Sequence, residues 1–110
     1  MMQQIENLDD LKSMINTGKP VLVYFSGENC SVCKILKPKI EEEIRKNFPQ
    51  FQLFEVKTDI SIELTAQYMI FSIPTTIIYF DKKEFKRYGR NISIPLFLEE
   101  IKRPYELMCE

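Results

Sequence analysis

An α/β architecture, with a mixed central sheet, helices on both faces and an antiparallel hairpin at one edge, is what this 110-residue sequence predicts. Three observations carry that reading. Val21-Leu22-Val23-Tyr24-Phe25 is an unbroken β-branched and aromatic run of the kind found in a strand buried on both faces. Apolar residues recur at helical intervals before and after it. Strand-like and helix-like segments then alternate as βαβα, and the last two strand-like runs lie close enough together to form a hairpin.

Each element has a local cause. Asn7 or Asp9 caps a helix in which Leu8, Leu11, Met14 and Ile15 share a face, over about Asp9 to Thr17, and Gly18 stops it. Pro20 precedes the central strand. Val32, Ile35, Leu36, Ile40 and Ile44 recur at helical spacing to about Phe48, with Lys and Glu opposite, and predict the longest helix. Pro38 removes a backbone donor inside it and predicts a kink. Phe51 to Thr58 reads as a second strand, and Asp59 to Met69 as a short helix carrying Ile60, Leu64 and Tyr68. Thr75 to Phe80 is a third strand, Asp81-Lys82-Lys83-Glu84 a polar turn, and Phe85 to Tyr88 the antiparallel edge, which Gly89 ends. Ser93 as cap and Pro95 in the first turn open a final helix with Leu96, Leu98 and Ile101, bent or ended near Pro104. Phe51, Phe54 and Phe71 are expected in the core.

Composition narrows the chemistry. At 13.1 kDa with 45% hydrophobic residues, the chain has enough apolar side chains for one core, so a single domain over residues 1–110 is expected. Fifteen basic residues against sixteen acidic ones, in no long block of one sign, argue against a nucleic-acid partner. The absence of His removes the usual general base and the commonest metal ligand, and with it Ser–His, Cys–His and ordinary zinc-hydrolase chemistry. No apolar stretch approaches the roughly 20 residues that span a bilayer. The first residues show no basic region followed by an apolar one, so the expected location is cytoplasmic.

The chemistry that remains sits in Phe25-Ser26-Gly27-Glu28-Asn29-Cys30-Ser31-Val32-Cys33-Lys34, where a strand gives way to a helix. Two cysteines so spaced can close a small disulfide. A sulfur at a helix start lies near unsatisfied backbone N–H groups and the positive dipole end, which favour its thiolate. Lys34 adds local positive charge. The pair is also readable as half of a zinc site, or as two small buried residues. A zinc site needs two further ligands, and Cys109, read as a frayed free thiol, is the only other cysteine.

Cys-x-x-Cys opening a helix, followed by a βα unit and by Ile73-Pro74-Thr75 opening another strand, resembles the thioredoxin superfamily. The likeness covers nearly the whole chain: Cys30 to Pro74 is 74 − 30 = 44 positions and Cys33 to Pro38 is 5, the spacings of bacterial thioredoxin. The resemblance implies the thioredoxin fold and a thiol–disulfide oxidoreductase without cofactor or metal. Cys30 would be the attacking thiolate, Cys33 the resolving thiol and Pro74 a cis-proline, with Ile73, Thr75 and Gly89 binding substrate. The implied partners are protein disulfides and a thiol reductase, with no membrane or nucleic acid, and a monomer is expected.

The sequence departs from that family in places that matter to the mechanism. Tyr24 stands where thioredoxin has a buried Asp that takes the resolving cysteine's proton, and Glu55 stands where a Lys commonly faces that Asp. Glu55 is therefore the candidate proton acceptor, and Tyr24 a core residue. Ser26 and Asn29 replace tryptophans, and Ser31-Val32 replaces the Gly-Pro between the cysteines. The alternative is a redox-weak peptide-binding or folding module on the same scaffold.

Overall fold

A computed structural model describes residues 2–109. Among them the elements run β1 (Gln3–Gln4), α1 (Leu8–Ile15), β2 (Val21–Ser26), α2 (Ser31–Asn47), β3 (Gln52–Lys57), α3 (Ile62–Gln67), β4 (Thr75–Phe80), β5 (Lys83–Tyr88) and α4 (Ile94–Met108). The five strands form one sheet in the order β1-β3-β2-β4-β5. β2 pairs parallel with β3 and antiparallel with β4, and β4 pairs antiparallel with β5. The predicted mixed sheet and edge hairpin are both present.

The apolar run of β2 lies at the centre and every one of its residues is buried. Because successive side chains point to opposite faces, Leu22 and Tyr24 enter a cluster with Ile40 and Ile44 of α2 and Phe97 and Ile101 of α4. Val21, Val23 and Phe25 enter a second cluster with Leu11 and Ile15 of α1 and Leu64 of α3. Each fully buried large side chain contributes about 1.5–3 kcal/mol, so the two clusters clamp the sheet from both faces. This fixes the C-terminal end of β2, where the cysteine pair begins.

The caps follow the sequence. The Asn7 side chain accepts from the N–H groups of Asp9 and Asp10, and that of Ser93 from the N–H of Leu96. Several expectations need correction. β1 went unforeseen, because two Gln residues carry no strand pattern. α4 continues through Pro104, so Pro104 does not end the last helix, whereas α2 runs through Pro38 to Asn47 much as expected. α3 is shorter than Asp59 to Met69: it starts at Ile62, leaves Ile60 exposed, and closes with Met69 at φ 53°. β5 begins two residues early at Lys83, because Asp81 and Lys82 adopt φ 51° and 71° and make a tight two-residue turn. Phe71 is 91% exposed rather than core. Cys109 is half-buried, not frayed, and its N–H donates to the Tyr105 carbonyl.

Candidate active site

β2 ends at Ser26 and the chain turns through Gly27, Glu28 and Asn29 into α2, whose N-cap is Cys30. Cys30 has extended backbone, φ −113° and ψ 97°, so its side chain folds back over the first turn and its Sγ accepts from the Cys33 N–H at 3.2 Å. Cys30 and Cys33 are joined in a disulfide with their Cα atoms 5.2 Å apart. In the reduced state the same N–H and the dipole of a 17-residue helix favour a Cys30 thiolate. Cys30 is more covered than an exposed helix end would be, at 8% exposed, but Cys33 at 2% is more covered still. Of the two residues, Cys30 keeps the larger exposure.

Behind the pair, Tyr24 is fully buried and its hydroxyl donates to the Cys33 carbonyl oxygen at 2.7 Å. Burial, and then the charge of Glu55, push its phenol up, so Tyr24 stays neutral and its hydroxyl keeps the proton it donates to that carbonyl. Glu55 sits opposite Tyr24 in the β2–β3 register and is itself buried. Its Oε2 accepts from the Ser26 hydroxyl at 2.8 Å and its Oε1 from the Lys37 ammonium at 2.7 Å. Burial alone would raise the Glu55 carboxyl, but the hydrogen bonds from Lys37 and Ser26, with the charges of Lys37 and Lys57, outweigh it and hold the group below its ordinary value. A polar cavity of about 90 Å³ lies among Ser26, Gly27, Cys33, Lys34, Lys37, Glu55 and Lys57. Glu55 and Cys33 thus both line one space, large enough to admit water.

The depressed Glu55 carboxyl ties stability to pH. A group whose folded pKa is lowered stabilises the fold fully above its unfolded value, about 4.3, and loses that contribution as pH falls through the lower folded value. The midpoint of thermal unfolding is therefore expected to fall more steeply below about pH 4.3 in the native protein than in Glu55→Gln; identical acid limbs would contradict the assignment.

The Ile73–Pro74 peptide bond is cis. Ile73 packs against the cluster that holds both cysteines, and a Cβ on Gly27 would fall 2.7 Å from its Cδ1. Only a residue without a side chain leaves that space to Ile73. Gly27→Val is accordingly expected to displace the Ile73 side chain and raise KM for protein disulfides several-fold, with reduction of a small aromatic disulfide unchanged; an unchanged KM would contradict this. Thr75 begins β4 opposite Phe25 and its hydroxyl donates to the Ser72 carbonyl at 2.7 Å. Thr75 and Gly89 line one open groove with Met69, Ile70, Phe71, Ser72, Arg87 and Tyr88.

Sequence reasoning did not assign Ser26, Gly27 or Lys37 to this site. A signal for Lys37 existed, since it stands one turn beyond Cys33 at i+4 on the same helix. Ser26 had none, because a hydroxyl at a strand end is common. A two-cysteine disulfide at the start of a helix, beside a cis-proline loop on a mixed sheet, defines a thiol–disulfide oxidoreductase.

The comparisons agree with that class. The family model described as Thioredoxin matches residues 3–101. A thioredoxin of Mycoplasmoides gallisepticum is 37% identical over 82 residues, 74% of this chain and 81% of that protein. The thioredoxin-like protein YdfQ of Bacillus subtilis is 24% identical over 106 residues, 96% of this chain and 94% of that one. Among solved structures, a thioredoxin of Fasciola hepatica superposes with a TM-score of 0.79 at 28% identity, over 93% of this chain and 98% of that one. The chain belongs to the thioredoxin family, and its fold is the thioredoxin fold.

Proposed function

We propose that Cys30 attacks a disulfide of a protein substrate and that Cys33 then releases the product. The observation that carries this order is the difference in cover: Cys30 caps the helix where a partner can reach it, and Cys33 lies beneath. In the first step the Cys30 thiolate bonds to one substrate sulfur, and the other leaves as a thiolate that takes a proton from solvent. In the second, Cys33, as its thiolate, attacks the Cys30 sulfur, the second substrate sulfur leaves as a thiolate and is protonated by solvent, and the Cys30–Cys33 disulfide re-forms. Holding both sulfurs in one helical turn makes that second attack intramolecular and hence fast. A thiol reductase must return two electrons to the pair before the next turnover.

Cys33 must lose a proton to attack, and Glu55 is the acceptor in this reading. The carboxylate is ionised across the neutral range and shares its cavity with Cys33. Its hydrogen bonds to Lys37 and Ser26 weaken it as a base, so the proton passes on to solvent through the same cavity rather than resting there. Pro74 shapes the adjoining loop, and an extended substrate segment pairs with the backbone at Ile73 while Thr75 and Gly89 border its path. Among the described residues no helix is long and apolar enough to cross a membrane. A monomer acting in the cytoplasm, where reducing equivalents keep such pairs cycling, fits this role.

Dithiothreitol-coupled reduction of insulin tests the activity, and no turnover above the dithiothreitol control would overturn it. Glu55→Gln is expected to slow resolution of the mixed disulfide by about tenfold or more at neutral pH, and an unchanged rate would remove Glu55 from the proton path.

A further inference from the structure

We propose that Arg90 is a specificity-determining residue that favours substrates carrying an acidic side chain next to the attacked cysteine. The inference rests on the reading that substrate backbone pairs at Ile73. Arg90 follows Gly89 at the end of β5, is exposed, and its guanidinium Nη2 donates to the Ile73 carbonyl oxygen at 3.4 Å. That carbonyl is the acceptor an incoming substrate N–H would use. The Arg90 contact is long, so a better-placed backbone N–H displaces it at little cost. Displacement leaves a guanidinium without its partner beside the substrate chain.

Arg90 differs in this from the other cations near the groove. Arg87 is engaged by both oxygens of Glu84, at 2.7 and 3.1 Å, and by the Tyr68 carbonyl at 2.7 Å. Lys86 is bound to Glu100 at 2.7 Å and Lys37 to Glu55 at 2.7 Å. Among the described residues no carboxylate pairs with Arg90, and none pairs with Lys34 beside Cys33. Arg90 is thus a cation with no carboxylate partner among the described residues, and a guanidinium matches a carboxylate with two parallel N–H donors. An exposed pair of this kind discriminates modestly, by about three- to fivefold in kcat/KM.

The test uses three synthetic peptides, each closed by one disulfide and identical except for Glu, Gln or Lys beside the attacked cysteine. Native protein is expected to reduce the Glu peptide about three- to fivefold faster than the Lys peptide at low salt, with the ratio shrinking at high salt. Arg90→Gln is expected to bring that ratio near one, and Arg90→Lys to keep part of it. Equal rates for all three peptides with native protein, or a preference that survives Arg90→Gln, would overturn the role of Arg90 while leaving docking at Ile73 intact. Failure to reduce any of the peptides, the neutral one included, would overturn both.

Discussion

Replacing Cys30 with serine is expected to reduce insulin-disulfide turnover to the dithiothreitol background, the largest effect on activity of any single substitution in this chain. A serine hydroxyl does not ionise in the neutral range and forms no bond to a substrate sulfur, so the first step is lost, not slowed. The fold should survive, because Cys30 contributes one small side chain at a helix cap and serine caps helices well. Cys33→Ser behaves differently: the first step remains and the second does not, so one stoichiometric attack occurs and the product stays attached. Insulin turnover and circular dichroism of the two variants check this together. Residual turnover in Cys30→Ser would contradict the assigned order of attack.

The largest effect on stability is expected at Tyr24. Its ring is fully buried in the cluster with Cys33, Ile40, Phe97 and Ile101, and its hydroxyl is held on the Cys33 carbonyl at 2.7 Å. Tyr24→Ala opens a ring-sized cavity under the helix that carries the cysteines and should cost about 3–5 kcal/mol. For a domain of this size that is a large share of the whole stability, and the thermal midpoint should fall by about 15–30 °C. Tyr24→Phe keeps the ring and removes one buried donor, so about 1 kcal/mol is expected. Guanidinium unfolding of the three proteins separates packing from hydrogen bonding. A Tyr24→Phe cost as large as that of Tyr24→Ala would show that the hydroxyl, not the ring, holds this position.

The central strand, the long helix and the cysteine pair are legible in the sequence because each obeys a single strong local rule: an apolar run, a 3.6-residue period, and two thiols at a helix start. Features set by neighbours in space are not. β1 exists because Gln3 and Gln4 lie beside Phe54 and Glu55, and nothing in a Gln pair announces it. Phe71 reads as core by residue type, yet it lies in the loop before the cis peptide and is 91% exposed there. Pro104 looks like a stop, but the apolar face continued by Tyr105 keeps α4 packed beyond it. Within the site, Glu55 beside Tyr24 is expected only from the resemblance to thioredoxin, and the β2–β3 register pairs the two. The pairing with Lys37 and Ser26, which decides how basic Glu55 is, depends on side chains meeting across a helix, a strand and its neighbour.

The proposal that Cys30 is the attacking sulfur is tested most directly by trapping. Cys33→Ser is mixed with a disulfide-containing protein substrate, quenched with acid, and mapped by peptide mass spectrometry. The expected result is one substrate molecule joined by a disulfide to the peptide containing Cys30, with Cys109 unmodified. Substrate found on Cys109, or no adduct at all, would contradict the account.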